Sequence, residues 1–168
     1  MLIDLLRHRR LPFLLLFATC AALLGFGLYL QYVKGQDPCP MCIMQRYAFV
    51  GVALLGLAAG LHGSLGIGRR VWGALLLLAT LAGGGVAARQ SWIQIYPPAE
   101  AECGPGLEYM LDSFPLADAL PMIFQGSGDC TERAWTFLGL SIANWSLVSF
   151  SAVALFALWV LFSRPARR

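Results

Sequence analysis

Four stretches of this chain carry no Asp, Glu, Lys or Arg: Leu11 to Val33, Tyr47 to Gly68, Val71 to Ala88, and Ala134 to Ser163. The last is most apolar from Ile142 to Phe162. A hydrocarbon layer about 30 Å thick takes roughly 20 helical residues to cross, and each stretch can supply a span. Inside lipid a helix satisfies its own backbone hydrogen bonds, whereas strands need a closed barrel. The pattern therefore predicts an all-α membrane protein, a four-transmembrane-helix bundle with spans at about 11–33, 46–65, 71–89 and 143–163. Two loops, about 34–45 and 90–142, remain on one side, and residues 1–168 form a single membrane domain.

Composition agrees, with 58% hydrophobic and 12% charged residues. A water-soluble domain carries about 25% charged residues, so this chain has half of what a wet surface needs. Arg7-His8-Arg9-Arg10 before the first stretch resembles the start of a secretory signal. The apolar run that follows outlasts the roughly 7–15 residues of a signal core, and it is read as a retained helix.

Charge sets the orientation. Arg7, Arg9, Arg10, Arg69, Arg70, Arg164, Arg167 and Arg168 share one side of a four-span chain, against Lys34, Arg46, Arg89 and Arg133 on the other. Eight against four, mostly beside helix ends, puts both termini in the cytoplasm by the positive-inside rule. Both loops then face the oxidising side of a bacterial inner membrane, and with them Cys39, Cys42, Cys103 and Cys130. Cys20 falls in mid-helix and reads as a small buried hydrophobe.

Four outer cysteines suit three chemistries. Structural zinc needs two close Cys pairs, but Cys103 and Cys130 stand 27 positions apart and neither His8 nor His62 lies on that side, so no metal is expected. Two stapling disulfides are the plain alternative, making this a structural membrane protein. A Cys103–Cys130 bridge would then contribute about 3–4 kcal/mol through chain entropy. That suits Cys39-Pro40-Met41-Cys42 poorly, since a bridge across two residues closes almost no loop, and redox exchange is the more natural use of the motif. Pro40 fits the first turn of a helix, which would start near Met41 and place Cys42 where the helix dipole favours a thiolate. Arg46, four residues on, shares that face and can offset an anion formed there. A dithiol at membrane depth can meet a lipid-soluble acceptor. These residues permit a quinone without naming one.

Longer motifs narrow the choice. Pro38-Cys39-Pro40-Met41-Cys42, Gln45-Arg46-Tyr47, Trp92-Ile93-Gln94-Ile95-Tyr96-Pro97, Gly126-Ser127-Gly128-Asp129-Cys130, Trp135-Thr136-Phe137-Leu138-Gly139-Leu140 and Trp145 occur in order through both loops. In these the chain resembles the bacterial disulfide bond formation protein B family of inner-membrane thiol oxidoreductases. The resemblance implies a protein-disulfide:quinone oxidoreductase. Cys103–Cys130 would accept two electrons from a DsbA-type periplasmic thioredoxin-like protein, with Cys103 attacked and Cys130 leaving. Exchange with Cys39–Cys42 would follow, and Cys42 would engage ubiquinone, menaquinone being the alternative, drawn from the membrane pool. Arg46 matches the family's quinone-site arginine. Where some members carry a histidine, this chain has Gln90, which could donate to a quinone oxygen but could not serve as a base; Arg89 beside it is either a helper or an interfacial anchor. No nucleic acid partner is expected.

The long loop carries one more pattern. Leu116, Leu120, Ile123 and Phe124 recur at helical spacing, with Pro115 and Pro121 limiting the helix to a short piece. This predicts a short membrane-surface helix that holds Cys130 near the lipid plane. Gly126-Ser127-Gly128 would give Cys130 freedom to change partners.

Overall fold

The computed structural model of the protein describes residues 10–63, 67–97, 107–125, 128–133 and 135–163. Cys103, Gly126, Ser127 and the terminal arginines Arg7, Arg9, Arg164, Arg167 and Arg168 lie outside the described residues. Four long helices are apolar enough to cross a membrane: α1 (Leu11–Tyr32), α2 (Pro40–His62), α3 (Ile67–Ile95) and α7 (Ile142–Phe162). Between α3 and α7 come the short helices α4 (Leu107–Ser113), α5 (Leu116–Gln125) and α6 (Gly128–Thr131), then a hairpin of β1 (Thr136–Phe137) and β2 (Leu140–Ser141).

Two spans start or end differently from the hydropathy reading. The second begins at Pro40, not near residue 46, because proline occupies the first helical turn and the Cys39 sulfur caps it, accepting from Cys42 N–H. The third runs on from Arg89 to Ile95, because Gln90, Ser91 and Ile93 are buried against the cysteine-bearing segments and not released to water. Hydrophobic counting ends where polarity begins, but the Gln90 amide has partners within the protein, while the buried Ser91 hydroxyl has none among the described residues.

The bundle is built outward from α3, which packs most extensively on α7 and also on α2, while α1 lies against α2. Its main core joins Phe13, Leu16 and Cys20 of α1 to Phe49 and Val52 of α2, Leu76 of α3, and Phe150 and Val153 of α7. The Phe49 and Phe150 rings stack at 4.2 Å between centroids. Leu15, Leu54, Leu78 and Leu155 point outward and are exposed, as a lipid-facing surface requires. A second core at the cysteine end gathers Cys39, Met41, Val86, Ile93, Met110, Ile123 and Cys130. At the other end, the Arg69 guanidinium sits 5.0 Å above the Trp159 ring.

In lipid, helices gain little from hydrophobicity itself and associate through close backbone approach at small residues. Gly83 is the tightest such point: a Cβ there would lie 2.5 Å from Phe150 Cζ and 2.6 Å from Ala48 Cβ. Three helices therefore meet on one absent methyl group. Gly83→Ala is expected to destabilise the bundle by about 1–3 kcal/mol through overpacking. Gly85→Ala, on the same helix with nothing within 4 Å of its Cβ, is expected to be neutral or slightly stabilising. Thermal unfolding in one detergent measures both; equal midpoints for the two variants would contradict the packing argument.

Candidate functional site

The local sequence around CPMC dictates its geometry. Proline at the first helical position lacks an N–H to satisfy, and Cys39 just before it is extended (φ −64°, ψ 162°), which turns its sulfur back over the helix end. Cys42 N–H reaches Cys39 Sγ at 3.4 Å. The Cys39 and Cys42 sulfurs come to lie 3.0 Å apart in hydrogen-bond contact, with Cys39 donating. Cys39, Met41 and Cys130 are buried and Cys42 is half-buried.

Two other elements supply partners. Gln90, one turn before the end of α3, donates from Nε2 to both sulfurs at 3.2 Å. Its Oε1 accepts from Gln45 Nε2 of α2 at 2.6 Å. Cys130, on α6, is hydrogen-bonded to Cys39. The Cys39 thiol is held well above its ordinary range, because its single S–H lies beside the Cys130 and Cys42 sulfurs, either of which can accept it, with burial adding to the effect. Cys39 thus stands between the two other sulfurs and keeps its proton in this state.

Arg46 takes a different position from the one its spacing suggested. Its Nη1 donates to Gln31 Oε1 and its Nη2 to Gly27 O at 3.0 Å, so it binds α1 rather than bending over Cys42. Two of the five N–H donors of a guanidinium are used there. Arg46 still borders the same cavity as Cys39, Cys42 and Gln90, a space of about 340 Å³. The walls are mostly apolar and include Leu23, Leu24 and Phe49. Arg89 turns away and donates from Nε to Phe124 O of α5 at 3.1 Å. The structure therefore brings together Cys39, Cys42, Cys130, Gln90 and Arg46, and leaves Arg89 as a tie to α5.

Three contributors escaped the sequence reading as functional positions. Gln45 lies one turn after Cys42 and is only 2% exposed. Gln94, one turn after Gln90, accepts from Ser141 Oγ at 2.6 Å, and its backbone oxygen accepts from Arg133 Nη2 at 3.0 Å. Ser141 in turn caps α7 by accepting from Asn144 N–H. The available signal was spacing: Gln45 three residues after Cys42 and Gln94 four after Gln90 place glutamines on the cysteine-facing sides of two apolar helices.

The hairpin closes one flank of the cavity. Leu138 (φ 53°) and Gly139 (φ 78°) both take the left-handed conformation that a two-residue turn between paired strands requires. Trp145 Nε1 donates to Phe137 O at 3.1 Å, fixing the hairpin to α7. The Trp135 ring meets Phe26 of α1 edge-on at 5.4 Å and stacks on Phe137 at 6.0 Å.

Known proteins share this chain's whole length. The pattern defining the family described as "Disulfide bond formation protein DsbB" matches residues 9–160. A "Disulfide bond formation protein B" of Azoarcus sp. (strain BH72) is 66% identical over 166 residues, covering 99% of this chain and 100% of that protein. Proteins of the same name from Paracidovorax citrulli (strain AAC00-1) and Hahella chejuensis (strain KCTC 2396) are 53% and 48% identical over 155 residues. These matches cover 91% and 90% of this chain and 88% and 93% of those relatives. With its four spans and with Cys39, Cys42 and Cys130 gathered at one end of them, the chain belongs to the DsbB family of disulfide bond formation proteins.

Proposed function

We propose that this protein is a protein-disulfide:quinone oxidoreductase of the bacterial inner membrane, with both termini cytoplasmic, that reoxidises a DsbA-type dithiol protein in the periplasm. The observation that carries this reading is the meeting of three sulfurs, those of Cys39, Cys42 and Cys130, at one end of a membrane bundle, where Cys39 and Cys42 line a mostly apolar cavity.

Two electrons enter by thiol exchange. A partner thiolate attacks Cys103 of the Cys103–Cys130 disulfide and Cys130 leaves; the partner's second thiol then displaces Cys103, forming the partner's disulfide. Cys130 next attacks Cys39 Sγ of an oxidised Cys39–Cys42 pair, and Cys42 leaves as a thiolate. The contact between Cys130 and Cys39 supports that order. Cys103 resolves the Cys130–Cys39 bridge, restoring the outer disulfide and leaving Cys39 and Cys42 reduced.

Ubiquinone, when bound, would supply the two-electron, two-proton acceptor that reoxidises the Cys39–Cys42 pair. The lining fits a quinone head: the volume is within the usual range for small-molecule sites, the walls are mostly apolar, and Arg46, Cys39 and Cys42 all border it. Arg46 presents its remaining donors where negative charge develops, an electrostatic role that a dry site strengthens. Cys42, less buried than Cys39, is the sulfur that would meet the acceptor, and Cys39 would then give up its proton and close the pair.

Three measurements check this. With a reduced DsbA-type partner, the wild type is expected to consume ubiquinone absorbance and Cys42→Ala to lose that activity while still inserting. Unchanged turnover in Cys42→Ala would leave the cysteines as staples. Arg46→Ala is expected to raise the apparent KM for ubiquinone about tenfold, or about 1.4 kcal/mol; an unaltered KM would return Arg46 to a purely structural tie between α1 and α2. In the reduced protein at pH 8, iodoacetamide is expected to label Cys42 at least about tenfold faster than Cys39, since the thiolate is the nucleophile and Cys39 retains its proton. Peptide mass spectrometry reads the order, and faster labelling of Cys39 would reverse the assigned roles.

A further inference from the structure

The Gln90 carboxamide contacts both sulfurs of the redox pair, but a carboxamide by itself has no preferred face. Rotated by a half-turn about its terminal bond, it would fit the same space with oxygen where nitrogen now stands. The two orientations are chemically opposite. With Nε2 inward, its two N–H groups reach Cys39 Sγ and Cys42 Sγ at 3.2 Å each. With Oε1 inward, a partial negative charge would face whichever sulfur holds the electron pair. Gln45 is the residue that holds them apart: its Nε2 lies 2.6 Å from Gln90 Oε1, and if Gln90 alone rotated two NH₂ groups would face each other at that distance. Both side chains are only 2% exposed, so water is poorly placed to relieve such a conflict. An unmade buried hydrogen bond costs about 1–3 kcal/mol, enough to select one orientation strongly.

We propose that Gln45 is a positioning residue for the redox pair: its N–H fixes the Gln90 carboxamide so that both amide hydrogens face the Cys39 and Cys42 sulfurs, favouring their reduced form. The inference rests on Cys39–Cys42 being the redox pair of the proposed oxidase. Reduction of that disulfide by two electrons and two protons leaves a thiol and a second sulfur able to ionise. A thiolate gains more from an N–H donor than a disulfide sulfur does, because hydrogen bonds to charged acceptors are about twice as strong. Gln45 touches neither sulfur by a hydrogen bond and acts through Gln90. It therefore tunes how readily CPMC accepts electrons without taking part in the exchange.

The test is the equilibrium of the Cys39–Cys42 pair in the full-length protein against a graded glutathione buffer. Differential alkylation and mass spectrometry of the CPMC peptide give the reduced fraction, with no quinone or partner protein needed. Gln45→Met keeps the volume and removes the donor. It is expected to shift the equilibrium constant about tenfold towards the disulfide, equivalent to about 30 mV for two electrons. Gln45→Asn, one methylene too short to keep the contact, is expected to shift it the same way and decides the matter if the methionine variant fails to insert. In a Gln90→Met background, Gln45→Met is expected to add nothing, because its route to the sulfurs is gone. A constant within twofold of wild type in both Gln45 variants, or an undiminished shift in the Gln90→Met background, would overturn the proposal. Quinone reduction measured in parallel keeps the two readings apart. A wild type that reduces no quinone, with Gln45→Met still shifting the equilibrium, would end the oxidase reading and leave this one standing.

Discussion

Gln90 Nε2 stands 3.2 Å from each of two sulfurs while Gln90 Oε1 is held 2.6 Å from Gln45. This buried amide lies among helices that otherwise present almost only apolar side chains to one another. In such surroundings a polar group must find its partner inside the protein. The arrangement around Gln90 follows from that demand: α3 continues past the point where its apolar run stops, and α2 begins early enough to bring Cys39, Cys42 and Gln45 alongside. Cys130 then completes the group from α6. The Gln90 amide thus satisfies the Gln45 amide and the sulfurs at once.

The supporting frame obeys the same economy of space. Phe49 and Phe150 stack beside Gly83, where a side chain would collide with both neighbouring helices. This contact sets how near α2 and α7 can come to α3. Further towards the cysteines, Gln94 and Ser141 replace packing with hydrogen bonds, and the cap of α7 depends on that same serine hydroxyl. Arg46 ties α2 to α1 through Gln31 and Gly27. The helices are thus spaced by close contact in the middle and by polar ties near the sulfurs.

Much of this was legible in the sequence, and the rest fails for identifiable reasons. Charge-free stretches gave four spans, because lipid enforces a length and a composition together. The short helix between Pro115 and Gln125 also showed itself, since Ile123 recurs at a helical interval and is buried in the second core. The start of α2 was legible from Pro40 rather than from apolar counting, but the end of α3 was not, because that counting treats Arg89, Gln90 and Gln94 as the close of a helix. Spacing placed Arg46 beside Cys42 but could not tell that α1 would offer Gln31 and a backbone oxygen to hold it. The hairpin at Thr136–Ser141 was hidden for another reason: its turn needs Leu138 in a conformation leucine seldom adopts, and no propensity scale points there.

The aromatic rings around that hairpin bear on how molecules reach the cavity. At the far end of the bundle α1 and α7 touch through Phe13 and Phe156. Near the sulfurs the space between them is instead spanned by Phe26, Trp135, Phe137 and Trp145. A boundary of ring edges can part by side-chain rotation, a motion of picoseconds to nanoseconds when rings are partly exposed. Sliding one packed helix past another takes microseconds or longer. Traffic through this flank can therefore be much faster than the bundle's own breathing, and the helices need not loosen their grip on the sulfurs to let a guest pass.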